Sequence, residues 1–303
     1  AETLGEMTLR EPTFIIPDIL PEGLAILAGR PKIGKSWLAM GFALGVASGG
    51  QVLQSIQVEK RGCLYLALED GTRRLKSRQN TLLHGDDAPA GLTFFPEWPR
   101  LDRGGLDRLR GWLDLNPGTG LVIVDTLAKV KPHTDGRANI YQTDYDALSG
   151  VQRLASERGV AIVLIHHLRK GVSDDVVEAV SGSSGLTGCA DTLLILKRER
   201  SEADAVLHVT GRDIEEQELA LSFNDAVWSV LGDAREIALS KSRRIVLDGL
   251  RDHGQMSPKE LSDTTGKSSN VIRQLLSKMI RDGQVSYKAG LYICSNSGNR
   301  ERA

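Results

Sequence analysis

Apolar runs with almost no polar interruption recur through the first two-thirds of the chain, at residues 24–28, 62–68, 121–124 and 160–165. A half-exposed strand would alternate, and these runs do not. Both of their faces are therefore to be buried, which fits a parallel sheet covered by helices on each side. Between the runs the apolar spacing changes to that of a helix. Residues 37–44, 72–84, 104–115 and 145–158 read this way, the third with Leu106, Leu109 and Leu113 about a turn apart. Residues 92–95 add a short strand. After residue 191 the alternation stops, and 192–196, 205–210, 218–222 and 226–230 read as successive strands. The expectation is an α/β fold with a mostly parallel sheet and an antiparallel extension.

Gly232-Asp233 marks a boundary. Beyond it the pattern predicts helices over 235–252, 258–264 and 268–281, then strands over 284–288 and 291–294. Ser257-Pro258-Lys259-Glu260 has the form of a helix start, with a serine cap, proline at the first helical position and glutamate at the third. In helix 268–281, Val271, Ile272, Leu275, Leu276 and Met279 read as the core side. Three helices and a small hairpin make a winged helix. The expected organisation is a large domain over 1–232, a winged-helix domain over 233–295 and a disordered tail over 296–303. At the other end, Pro12, Pro17 and Pro21 punctuate a lead-in whose apolar Phe14-Ile15-Ile16 packs on the sheet edge or on a neighbour.

Composition sharpens this division. The net charge of the 303 residues is −1, but from Ala234 onward 13 Lys/Arg face 7 Asp/Glu, a net +6 that leaves −7 for the rest. Such asymmetry points to a nucleic-acid-facing C-terminal piece on an acidic body. The three cysteines, Cys63, Cys189 and Cys294, are far apart, and no two have metal-ligand spacing. Cys63 and Cys189 lie among apolar residues and read as core thiols, which suits a reducing compartment. With no apolar run near the roughly 18 residues of a membrane span and no signal-peptide pattern, a cytoplasmic location without membrane contact is expected.

The chemistry begins at Gly29-Arg30-Pro31-Lys32-Ile33-Gly34-Lys35-Ser36, followed by Trp37. This is G-x-x-x-x-G-K-[ST] between a predicted strand and a predicted helix, the phosphate-binding P-loop. Its amides and the helix N-terminus form an anion site. Lys35 is the candidate for the β- and γ-phosphates and Ser36 for Mg²⁺, so the chain is expected to bind a nucleoside triphosphate. Leu121-Val122-Ile123-Val124-Asp125 has the Walker B form, with Asp125 as the second metal-side residue. Glu69 ends the run that begins at Gly62. A carboxylate there is placed to activate water, with Asp70 as its competitor. Long polar segments span 129–144 and about 171–185.

Taken in order, the motifs are the P-loop, Leu68-Glu69-Asp70, the Asp125 strand, His166-His167-Leu168-Arg169-Lys170, the glycine- and serine-rich 181–188, and Thr210-Gly211-Arg212-Asp213. This set resembles the RecA superfamily over residues 15–230, and within it the hexameric replicative helicases of plasmid RepA type and their phage relatives. The resemblance implies an ATP- and Mg²⁺-dependent helicase that acts on single-stranded DNA as a homo-oligomeric ring. It implies His167 as the γ-phosphate sensor, with His166 in reserve. Arg212 would be the arginine finger reaching a neighbour's ATP, with Arg198 and Arg200 as competitors. The two polar segments would line a DNA channel, with Lys129, Lys131, Arg137, Arg169 and Lys170 on phosphates and the amides of Ser183 and Ser184 tracking the backbone. In the winged helix, Arg273 and Lys278 would face duplex DNA or a replication protein. Two other readings stay open: a RecA-like recombination mediator or loader that does not unwind, and an ATP-switched regulator that reads an operator.

Overall fold

The computed structural model describes residues 11–132, 140–168, 188–198 and 204–295. The apolar runs become strands and the segments of helical spacing become helices. In chain order these are β1 (Phe14–Ile16), β2 (Leu20–Pro21), β3 (Gly23–Gly29), α1 (Lys35–Ser48), β4 (Gln51–Val52), β5 (Ile56–Gln57), β6 (Gly62–Ala67), α2 (Thr72–Leu83), β7 (Leu92–Phe95) and α3 (Gly105–Leu115). Then come β8 (Thr119–Asp125), α4 (Leu127–Val130), α5 (Ile140–Arg158), β9 (Ala161–His167), β10 (Thr192–Arg198), β11 (Asp204–Gly211), β12 (Gln217–Asn224) and β13 (Val227–Asp233).

Nine strands form one sheet in the order β13-β12-β11-β10-β3-β9-β8-β6-β7. From β10 to β7 each neighbouring pair is parallel. β11 joins β10, and β12 joins β11, in antiparallel register. The expected antiparallel extension therefore lies on the β10 side of the parallel core.

Burial explains the lack of alternation. Every residue of β3 is buried, yet successive side chains enter different layers. Ala25 and Leu27 pack in the layer that holds Leu38, Ala39 and Phe42 of α1. Leu24, Ile26 and Ala28 pack in the layer that holds Leu109 and Leu113 of α3 and Leu148, Val151 and Leu154 of α5. Each layer needs apolar side chains, so the strand is apolar throughout. Cys63 and Cys189 are buried thiols, and burial pushes Cys63 up to about 12. No helix among the described residues is long and apolar enough to cross a membrane.

The chain divides into two compact units between Gly232 and Asp233. The second unit contains α6 (Ala234–His253), α7 (Pro258–Thr265), α8 (Ser269–Arg281) and the hairpin of β14 (Val285–Lys288) and β15 (Leu291–Cys294). Asp233 caps α6 by accepting from Glu236 N at 2.9 Å. The capping box of α7 is formed: Glu260 N donates to Ser257 Oγ (3.3 Å) and Ser257 N donates to Glu260 Oε2 (2.7 Å). Ile272, Leu275, Leu276 and Met279 pack with Val246, Leu250 and Leu261 in a small core.

Two sequence readings change. The polar segment 129–144 is not one long loop, because α4 includes Lys129 and α5 begins at Ile140. Leu127 and Val130 are buried, which holds that extra turn against the core. Val271 is 47% exposed rather than on the core side, since the buried stripe runs through 272, 275, 276 and 279. The tail 296–303 lies outside the described residues.

Candidate active site

Parallel strands deliver their C-terminal ends to one edge of the sheet, where α/β proteins bind ligands. At that edge Gly29 of β3 pairs with His167 of β9, and Asp125 of β8 pairs with Ala67 of β6, two residues before Glu69. The loop from β3 to α1 turns through Lys32 at φ 65° and Gly34 at φ 104°. Gly34 is the N-cap of α1, and its carbonyl accepts from Leu38 N (3.0 Å) and from the Trp228 indole Nε1–H (3.1 Å).

Lys35 is 4% exposed and has spent its three N–H donors. It donates to Gly29 O and Arg30 O, each at 2.8 Å, and to His167 Nδ1 at 3.0 Å. With Nδ1 accepting, the imidazole proton sits on Nε2, which faces Glu69 Oε2 at 3.3 Å. His167 therefore bridges the P-loop lysine to the candidate base. Asp70, the competing carboxylate, is engaged elsewhere: Arg74 approaches its Oδ1 at 3.0 Å and Arg78 pairs with its Oδ2. Glu69 is exposed, and the group it meets is His167 rather than an arginine.

Asp125 is buried at 4% exposure. Burial raises its pKa, opposed by Ser36, Tyr65 and Arg78. Tyr65 donates its hydroxyl to Oδ2 at 2.9 Å. Oδ1 is buried and has no hydrogen-bond partner. Ser36 is near enough to oppose the pKa rise, yet it does not give Oδ1 a formed hydrogen bond. A buried anionic oxygen left bare beside a hydroxyl fits a hard divalent cation such as Mg²⁺. Asp125 and Ser36 are the residues that would hold it.

A cavity of about 300 Å³ opens at this edge, lined by Gly34, Lys35, Ser36 and His167, with Trp37, Arg78, Arg198 and Phe223 among its walls. A larger groove of about 490 Å³ along α1 lacks Lys35, Ser36 and His167, which line the smaller cavity, so the smaller cavity marks the phosphate-binding end; Asp125 and Glu69 line neither.

A family model described as an AAA domain matches residues 3–173. The chain belongs to this AAA-domain family. Among solved structures, a DnaB-like replicative helicase, in a structure that also shows its interactions with primase, matches at 15% identity and TM-score 0.55. That match covers 74% of this chain and 65% of the helicase, less than two-thirds of its length. A second solved structure, an ATPase domain, is similar at 14% identity and TM-score 0.54, over 69% of this chain and 85% of that one. The RadB recombinase matches at 16% identity and TM-score 0.49, over 70% and 91%. No curated protein matches. At these identities the likeness concerns the fold, which is that of the RecA-like P-loop nucleoside triphosphatases.

In this AAA-domain protein the arginine candidates separate by sheet edge. Arg198 ends β10 and lies over the rings of Phe223 (4.8 Å) and Trp228 (5.4 Å), in the cavity wall of its own chain. Arg212 follows Gly211, which pairs with Thr192 at the level of Ala25. It therefore lies toward the start of β3, away from its own P-loop. It is 60% exposed and donates to Asp191 Oδ1 (3.3 Å) and Gly188 O (3.1 Å). Lys129 is exposed on α4, and Arg273 and Lys278 are exposed on α8. Lys131 is half-buried just after α4. Arg137, Arg169, Lys170, Ser183, Ser184 and Arg200 lie outside the described residues. Tyr65 and Trp228 were not singled out by sequence; inside apolar runs both look like ordinary core.

Lys35 yields a pH prediction. Burial lowers its pKa from 10.5 to about 8, against the opposing charges of Asp125 and Glu69. A bound polyphosphate would hold the lysine protonated well above that value. Above pH 8 the free protein must then take up a proton to bind. Affinity for a non-hydrolysable ATP analogue is expected to fall by up to about tenfold per pH unit there. Below pH 8 this lysine adds no pH dependence. Titrations between pH 7 and 9.5 check it.

Proposed function

We propose that this protein is an ATP-hydrolysing motor on single-stranded DNA, a helicase or translocase serving replication of a plasmid, phage or other mobile element. The observation that carries the reading is the contact chain from Lys35 through His167 to Glu69. It joins the phosphate-binding lysine to a carboxylate free to act as base. One residue after His167, Leu168 leads into the segment holding Arg169 and Lys170, so the candidate sensor sits beside candidate DNA contacts in sequence. The DnaB-like replicative helicase among the structural neighbours supports the same direction.

In the proposed mechanism the loop from Gly29 to Ser36 and the start of α1 bind the phosphates through backbone N–H groups. Trp37 lies at the same helix start. Lys35 exchanges one of its present acceptors for a phosphate oxygen. Ser36 and Asp125 would hold Mg²⁺, which would supply charge neutralisation at the phosphates. Glu69 accepts the proton of the attacking water, and His167 reports the γ-phosphate through its two ring nitrogens. Arg212, directed away from its own P-loop, serves the site of a neighbouring subunit in a closed, hexameric ring. Lys129, Lys131, Arg137, Arg169, Lys170, Ser183 and Ser184 contact the single strand.

A second reading, an ATP-switched regulator on duplex DNA, is favoured by one observation. The exposed face of α8 presents Asn270, Arg273, Gln274, Lys278 and Arg281, and the helix contains no carboxylate. We take the unit over 233–295 as a winged helix that docks duplex DNA or a replication protein through that face.

The test is ATP turnover with and without a single-stranded oligonucleotide. The motor reading expects strong stimulation by the single strand. Turnover indifferent to it, with tight binding to duplex DNA instead, would replace the motor by the regulator.

A further inference from the structure

One buried hydroxyl in this site has no role in the mechanism above. Tyr65 lies in the middle of β6, where it pairs with Ile123, two residues short of the level of Asp125. Its side chain is 1% exposed, and its ring packs 5.6 Å from that of Phe94. A tyrosine hydroxyl so deep in apolar surroundings requires a polar partner. It finds one 60 residues away, at Asp125 Oδ2.

We propose that Tyr65 is a positioning residue that sets which oxygen of Asp125 faces the divalent cation. This rests on the ATP–Mg²⁺ reading of the site and adds to it a residue outside the P-loop and Walker B motifs. A carboxylate on a strand end can turn about its Cβ–Cγ bond and present either oxygen. The hydroxyl ties Oδ2, so rotation is arrested and Oδ1 is the oxygen left without a hydrogen-bond partner. The Arg78–Asp70 pair flanks both groups electrostatically, and neither member supplies the missing hydrogen bond to Oδ1. Outer partners of metal ligands act in this way, and their loss lowers metal affinity by about 10–100-fold.

The experiment titrates Mg²⁺ into the full chain with a fluorescent non-hydrolysable ATP analogue, and repeats the binding in EDTA. For Tyr65→Phe the Mg²⁺ midpoint is expected to rise about 10–100-fold while affinity in EDTA is unchanged. Phe94→Leu, which loosens the same packing and keeps the hydroxyl, is expected to leave the midpoint alone. A wild-type midpoint in Tyr65→Phe overturns the proposal. Should Tyr65→Phe also lose affinity in EDTA, Tyr65→His decides by restoring a donor. A midpoint moved back toward wild type supports the positioning role, and one no better than Phe overturns it. Wild-type binding of the analogue that ignores Mg²⁺ overturns the metal reading and this inference with it, and leaves nucleotide binding standing.

Discussion

Glu69→Gln is expected to keep ATP bound and to lower its turnover by about 10²–10⁴-fold, the range for loss of a positioned general base. The substitution is nearly isosteric. Its amide oxygen can still accept from His167 Nε2, now met by Glu69 at 3.3 Å, so the bridge to Lys35 survives. What disappears is the capacity to take a proton from water. Glu69 is exposed and is not packed into either core layer, so folding should be untouched. Binding of the ATP analogue together with single-turnover hydrolysis separates the two effects. Retained binding with lost turnover assigns the base; unchanged turnover moves that role elsewhere, and Asp70 is poorly suited while Arg74 and Arg78 hold it.

Gly34→Ala is expected to damage both stability and nucleotide binding. Gly34 sits at φ 104°, where a side chain is strained whatever the space around it. Space is absent as well, because a Cβ there would meet Trp228 Cζ2 at 2.8 Å and Nε1 at 3.2 Å. Left-handed backbone costs about 1–2 kcal/mol and overpacking about 1–3 kcal/mol, so a loss on the order of 2–4 kcal/mol follows. For a unit of this size that lowers the melting temperature by on the order of 10 °C. The phosphate-binding loop would shift with it, since the Trp228 bond holds the Gly34 carbonyl. Trp228→Phe removes both clashing atoms but also the bond to the Gly34 carbonyl, so adding it to Gly34→Ala should recover only part of the steric loss. A variant that melts with the wild type would contradict this picture of the loop.

The parallel core was legible because its signals are local. Gly29, Asp125 and His167 each close an apolar run, and a run buried on both faces needs no distant information to be recognised. The small hairpin β4–β5 was not legible, since strands of two residues are too short to show a period. The short α4 was missed because Leu127 and Val130 are two apolar positions in a polar stretch. The site was legible only in part. Lys35, Ser36 and Asp125 announce themselves by motif. Tyr65 and Trp228 reach Asp125 and Gly34 across 60 and 194 residues, and nothing in their neighbourhoods distinguishes them from packing residues. The separation of Arg198 from Arg212 depends on the β10–β11 register, Thr192 opposite Gly211, which no motif encodes.

ATP hydrolysis at the edge where β3, β9, β8 and β6 end underlies every role proposed for this chain. Its most direct test is steady-state ATP hydrolysis by the full chain in Mg²⁺ and in EDTA, with Glu69→Gln as the blank. The expected result is turnover that requires Mg²⁺ and falls to background in the variant. No turnover above background in Mg²⁺, or turnover that persists in EDTA, would contradict it.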